Sequence, residues 1–98
     1  MAIRTFRDKV SEDICNAIKS KQSEKRLPGE LHLKAQIKLA RLAAATSLND
    51  LAELRGNRLE ILKGDLVGHY SIRINDQYRI CFHLQNNDAF EVGITYYH

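Results

Sequence analysis

Along the first half of the chain apolar residues recur every three or four positions; along the second half they alternate with polar ones. Ile3 to Phe6 reads as a short first strand. Val10, Ile14, Ala17 and Ile18 then keep helical spacing. Ser11 is the expected N-cap of that helix, with Glu12 and Asp13 in the first turn, where the helix dipole favours acids. The polar stretch Lys19 to Arg26 reads as the end of this helix and a turn. A second helix is expected from near Pro28, with Leu31, Ala35, Leu39, Leu42 and Thr46 on its apolar stripe. Ser47 fits the N-cap of a short third helix over Leu48 to Leu54.

From Gly56 the period becomes two. Arg58 to Leu62 reads as a strand and Lys63-Gly64-Asp65 as a turn. Tyr70, Ile72 and Ile74 alternate with polar residues, as do Tyr78, Ile80 and Phe82. Asn86-Asn87-Asp88 is a further turn before Phe90, Val92 and Ile94. Helices followed by a meander of three or four antiparallel strands make an α+β fold, with the helices packed on one face of a small sheet. The chain of 98 residues is expected to form one domain over 1–98.

The register of the central hairpin bears on chemistry. With Asn75, Asp76 and Gln77 in the loop, Ile74 meets Tyr78, Ile72 meets Ile80 and Tyr70 meets Phe82. A slip of one residue would expose half of this apolar set, so burial selects the three-residue loop. On the other face Arg73 then lies opposite Arg79, Ser71 opposite Cys81, and His69 opposite His83. Like charges opposite each other on a sheet repel. Such a face is either a phosphate-binding concavity or a place where each arginine finds water or an acid. Lys34, Lys38 and Arg41 form a basic stripe on the second helix, which is either a solvated face or an edge for a phosphate backbone.

Fifteen Lys and Arg against twelve Asp and Glu give a net charge of +3, a mild bias that fits an anionic partner. Cys15 and Cys81 have no ligand spacing around them, so neither a metal nor a disulfide is expected, and no cofactor. No leader pattern and no apolar run of membrane-spanning length is visible, which predicts a cytoplasmic protein with no membrane partner.

The stretch Asn57-Arg58-Leu59-Glu60-Ile61-Leu62-Lys63-Gly64-Asp65, followed by Tyr70-Ser71-Ile72-Arg73-Ile74-Asn75-Asp76-Gln77-Tyr78-Arg79-Ile80-Cys81-Phe82, closely resembles the HigB-type toxins, or plasmid-maintenance killer proteins, of the RelE superfamily. The terminal Tyr97-His98 resembles the end of the family's Asp-Tyr-His. The resemblance covers Gly56 to His98 closely and the helical half in pattern. It implies a RelE-like fold and a metal-independent endoribonuclease that cuts mRNA in the A site of the small ribosomal subunit. It also implies a helix-turn-helix, HigA-like antitoxin, with the free toxin a monomer and the pair a hetero-oligomer. By position, Arg79 matches the family's central arginine, Lys63 a basic residue of the active site, and Tyr97 and His98 the terminal pair. Glu60 stands where some members carry a histidine and others an acid, and Tyr96 where an aspartate is usual.

The catalytic set implied is Arg79, Tyr97, His98, Lys63 and Glu60. RNA contacts are expected from Arg73, Lys34, Lys38, Arg41, His69, His83 and Tyr96. These residue types suit RNA cleavage: the 2′-hydroxyl attacks, a base and an acid move protons, and fixed cations stabilise the phosphate as charge builds. A non-cleaving RNA- or ribosome-binding protein that blocks translation by occupancy is the alternative; a purely structural subunit is a third reading.

Overall fold

A computed structural model describes residues 1–62 and 67–97, except for the side chain of Arg55. Lys63-Gly64-Asp65, expected as a turn, and His98 lie outside the described residues. Four helices, α1 (Lys9–Cys15), α2 (Lys21–Arg26), α3 (His32–Ala44) and α4 (Leu48–Ala52), precede four strands, β1 (Glu60–Ile61), β2 (His69–Arg73), β3 (Tyr78–Gln85) and β4 (Asp88–Tyr96). The strands form one antiparallel sheet in the order β1-β2-β3-β4. This is the expected α+β arrangement, and the helices cover one face of the sheet. Among the described residues no helix is long and apolar enough to cross a membrane.

The central hairpin takes the register that burial selects. Ile72 pairs with Ile80, Tyr70 with Phe82, Arg73 with Arg79, Ser71 with Cys81, and His69 with His83. The Ile74 N–H donates to the Tyr78 carbonyl at 2.9 Å, closing the loop. Asn75 Oδ1 organises that loop by accepting from the N–H groups of Gln77 and Tyr78. Ile72, Ile74, Ile80, Phe82, Val92 and Ile94 pack with Ile14, Leu27, Ala35, Leu39, Leu42 and Leu51 in one buried cluster. At roughly 25 cal/mol per Å² of apolar surface, this one-sided burial is the main term favouring the fold.

Several local expectations are corrected. Ile3 and Phe6 do not form a strand of the ladder; each makes a single parallel bridge, to Ala89 and Val92. The segment runs along the outer edge of β4 and covers it, which blunts an exposed sheet edge. Asp8, not Ser11, caps α1, accepting from the Ser11 N–H at 2.9 Å. Ser11 is buried, and its hydroxyl accepts from the Ile94 N–H at 3.1 Å, a donor on the edge of β4. The Lys19 to Arg26 stretch holds a helix of its own, because Ser20 and Ser23 form a reciprocal capping box. Ala17 and Ile18 lie beyond the end of α1, with Ala17 at φ 59°. A 3-10 turn, Gly29–Leu31, separates Pro28 from α3. Thr46 is not on the helical stripe: it donates to Asp50, beside the Ser47 cap of α4. Of the expected first sheet strand, Glu60 and Ile61 pair with β2 and the Leu62 N–H donates to the His69 carbonyl at 3.0 Å, but Arg58 and Leu59 stay outside the ladder, since Arg58 turns the chain at φ 41°.

The last strand carries a bulge absent from the expected alternation. Cys81 faces Gly93, yet His83 faces Phe90, so Glu91 and Val92 together oppose Phe82. Phe90 therefore shares a face with His83, and Ala89 fills the core position instead.

Lys38 departs most from its expected setting. It was read within an exposed basic stripe, but it is 7% exposed, whereas Lys34 and Arg41 stay exposed. Its Nζ donates to Asn57 Oδ1 at 2.9 Å, and Asn57 Nδ2 donates to the Leu51 carbonyl. Burial pushes the Lys38 ammonium down from 10.5 to about 8, helped by Lys34, Arg41, Arg73 and Arg79 nearby.

Two outcomes follow from these buried polar groups. Ser11→Ala leaves the Ile94 N–H without its acceptor and is expected to cost about 1–3 kcal/mol, read by urea denaturation. Lys38 is protonated in both folded and unfolded chains below pH 8, so there the fold bears the full cost of burying the charge. Between about 8 and 10.5 the folded chain releases its proton first, and stability rises with pH. That rise, at most about 3 kcal/mol, should appear in urea midpoints of the wild type and be absent from Lys38→Met.

Candidate active site

The uncovered face of the sheet carries the polar residues of the central hairpin. Arg79, on β3, is 6% exposed. Its Nε donates to Ser71 Oγ at 2.7 Å, and its Nη2 donates to the carbonyls of Ser71 and Arg58. The left-handed backbone at Arg58 belongs to the bend that brings its carbonyl to the guanidinium. Asn57, held by Lys38, anchors that bend from the helical side. Three of the five N–H donors of Arg79 thus have fixed backbone or hydroxyl partners, and Nη1 faces Glu60.

Two predicted residues meet Arg79 there. Glu60 Oε1 lies 3.7 Å from Nη1. The Tyr97 ring lies over the guanidinium, 5.7 Å from its carbon to the ring centroid, a cation–π arrangement. Tyr97 Oη donates to Glu60 Oε2 at 3.3 Å, which closes the triangle. The Tyr97 N–H also donates to the Gln77 carbonyl, fixing the end of the chain to the hairpin loop. A carboxylate, a phenol and a fixed guanidinium converge, and Glu60 and Tyr97 are open to solvent.

Beside Tyr97 lies a cavity of about 350 Å³, whose wall includes Arg7, His69, Cys81, Glu91 and Thr95. Arg7 was not singled out in the sequence. Its guanidinium donates to Thr95 Oγ1 and the Ile94 carbonyl and rests against Gly93, where a Cβ would come within 2.7 Å of it. The only signal available was a glycine facing Cys81 within an otherwise filled strand.

The remaining predicted residues are placed less centrally. Arg73 pairs with Asp76 in the hairpin loop, as Arg79 pairs with Glu60, so the opposed arginines are each relieved by an acid. Arg73 is therefore not a free cation facing Arg79. His69 and His83 stack with ring centroids 4.4 Å apart at the other end of β2, four residues from Arg73. Lys34 and Arg41 flank buried Lys38 on α3. Tyr96 does not join Arg79: it pairs with Tyr78 across the helix-covered face, edge to face at 5.4 Å. There it lines a separate open cleft of about 530 Å³ with Arg7, Lys25 and Arg26. Alternation along β4 puts Tyr96 and Tyr97 on opposite faces. Lys63 and His98 lie outside the described residues. Cys15 and Cys81 are free and half-buried.

Comparison with known proteins agrees with this architecture. An uncharacterized protein of Haemophilus influenzae is 34% identical over 64 residues, 65% of this chain and 63% of that protein. Toxin HigB-1 of Vibrio cholerae is 51% identical over 45 residues, 46% of this chain and 47% of that protein. The chain thus spans about half to three-fifths of the curated relatives it matches. The YoeB–YefM complex from Staphylococcus aureus contains a chain of similar fold, with TM-score 0.59 and 19% identity, covering 100% of this chain and 99% of that one. Residues 4–97 match the family described as RelE-like toxin of type II toxin-antitoxin system HigB. The chain belongs to this HigB-like family of RelE-like toxins of type II toxin–antitoxin systems.

Proposed function

We propose that this toxin is a metal-independent endoribonuclease that cuts mRNA in the ribosomal A site, with Arg79, Glu60 and Tyr97 at the centre of its active site. The observation that carries the reading is the Arg79 guanidinium, locked on one side by Ser71 and Arg58 and meeting Glu60 and Tyr97 on the other. A guanidinium held this way needs no reorganisation as charge builds on a phosphate, which is where preorganised electrostatics lower a barrier most. Its planar fork matches two phosphate oxygens.

In this reading the phosphate displaces Glu60 from Nη1, and the freed carboxylate takes the proton of the attacking 2′-hydroxyl. The 2′-oxygen bonds to phosphorus, the bond to the 5′-oxygen breaks, and an acid protonates the leaving oxygen. Tyr97, and by sequence His98, are the donors for that step; Lys63 adds positive charge. Arg73, Lys34 and Arg41 supply backbone contacts. An antitoxin partner is supported by the YoeB–YefM toxin–antitoxin complex of similar fold, and in this reading it is a helix-turn-helix, HigA-like protein.

The test is induction in a bacterial host with primer extension on a translated message. Wild type is expected to arrest growth and leave discrete 5′ ends. Arg79→Ala should lower cleavage about 10²–10³-fold, the usual loss for one preorganised donor. Glu60→Gln should lower it about 10²–10⁴-fold, as removal of a general base does. Growth arrest with an intact message would sink the nuclease reading in favour of occupancy. Cleavage undiminished in Arg79→Ala would remove this site from it.

A further inference from the structure

His69 and His83 form a cross-strand pair of the kind in which side chains approach most closely. The Leu84 N–H donates to the Gly68 carbonyl at 2.9 Å, so the next pair along, His69–His83, is not hydrogen-bonded through its backbone. The two rings lie 6° from parallel. The third member of the cluster comes from β4. Its bulge inserts Glu91 opposite Phe82, and the Glu91 carboxylate reaches to 3.7 Å from His69 Nε2.

The bulge is costly for a glutamate. Glu91 sits at φ 52°, a conformation that glycine adopts without strain and that bulges of this kind commonly give to glycine. What glutamate has and glycine lacks is the carboxylate beside the two imidazoles. Its placement also argues against the anion-binding role that sequence gave to His69 and His83. A carboxylate here repels phosphate, and the pair lies about 13 Å along β2 from Arg73. His69 Nδ1, in addition, is buried with no hydrogen-bond partner among the described residues.

We propose that His69, His83 and Glu91 bind a divalent transition-metal ion of the zinc type, which staples the β4 bulge to the open end of the β2–β3 hairpin. One nitrogen from each ring and one carboxylate oxygen already lie within 4.8 Å of one another. Two imidazoles and a carboxylate are a zinc donor set, with water completing a tetrahedron, whereas magnesium and calcium prefer oxygen alone. Bonds of about 2.0–2.1 Å put tetrahedral ligand atoms about 3.3 Å apart, so the three must draw together by up to about 1.5 Å. Glu91 is exposed enough to swing inward, and the terminal torsion of a histidine is broad, so the stacked rings can turn their lone pairs toward one point. The ion would stand at the wall of the cavity beside Tyr97, to which His69 and Glu91 contribute. It takes no part in the proposed cleavage, and the site stands independently of that reading.

The test uses the untagged full chain. Cobalt(II) titration should give the visible bands of a tetrahedral site at one equivalent, and zinc should displace them. Zinc, but not magnesium, should raise the thermal midpoint. His83→Gln should weaken cobalt binding at least about a hundredfold, beyond what loss of an outer-shell partner costs. Glu91→Gly separates folding from ligation, because glycine relieves the backbone at φ 52°. It should raise the midpoint of the metal-free protein and lose the response to zinc. Absence of cobalt bands in wild type overturns the proposal, as does binding in both variants equal to wild type, which would put the ion at another group such as His98.

Discussion

Ile72 and Ile80 face each other across β2 and β3, and neither has any exposed surface. Two strands pinned in this way have no freedom of register, because a shift of one residue would put Ile72 on one face and Ile80 and Phe82 on the other, exposing half of the set. The polar residues between them are then committed to the uncovered face, at spacings set by the pleat. Arg73, Arg79, Ser71, Cys81, His69 and His83 are where they are because the apolar residues beside them must be buried. The site is a by-product of the core in placement, though not in chemistry.

A guanidinium as buried as that of Arg79 is expensive unless its charge and donors are met, since the effective penalty for burying an ion is several kcal/mol. Here the fold meets it in layers. Ser71 supplies a hydroxyl and a carbonyl from the neighbouring strand, and the bend at Arg58 supplies a second carbonyl. That bend is itself held by Asn57, which joins Leu51 to the Lys38 ammonium. A helix residue read as a surface cation thus serves to position a strand residue, and the repulsion among Lys38, Arg73 and Arg79 is the strain that this arrangement carries. Glu60 and Tyr97 complete the shell from the solvent side.

The alternation of Tyr70 to Phe82 was enough to read the hairpin, its register and the residues of the polar face, because one-sided burial leaves a single solution. Arg79, Glu60 and Tyr97 were legible as a set only through resemblance: they come from separate strands and the chain end, and no spacing links them. The bulge at Glu91 was not legible. An unbroken alternation of Phe90, Val92 and Ile94 fits the sequence equally well, and only the competition of Ala89 and Phe90 for the core decides against it. Asp8 outcompeted Ser11 as a cap because the Ser11 hydroxyl is needed at Ile94, a contact between residues distant in sequence. Lys38 was misread for a related reason. Helical periodicity says which side of α3 faces the sheet, but not that the 3-10 turn at Arg55–Asn57 folds over one of its polar positions.

The uncovered face also has a charge pattern along its length. At one end the arginines are met by acids within reach of displacement; at the other, two imidazoles are met by Glu91 on a bulge. Between them, Gly93 opposes Cys81, and the absence of a side chain there lets the Arg7 guanidinium lie against the strand. Arg7 is held by Thr95 and the Ile94 carbonyl, so its charge stays in the middle of the face. A bulkier residue at 93 would have to push Arg7 away, since a Cβ would come within 2.7 Å of it. The small residue therefore determines where the positive end of the face stops. Toward Arg79 the face is dominated by guanidinium groups; beyond Arg7 the balance passes to the Glu91 carboxylate beside the two imidazoles.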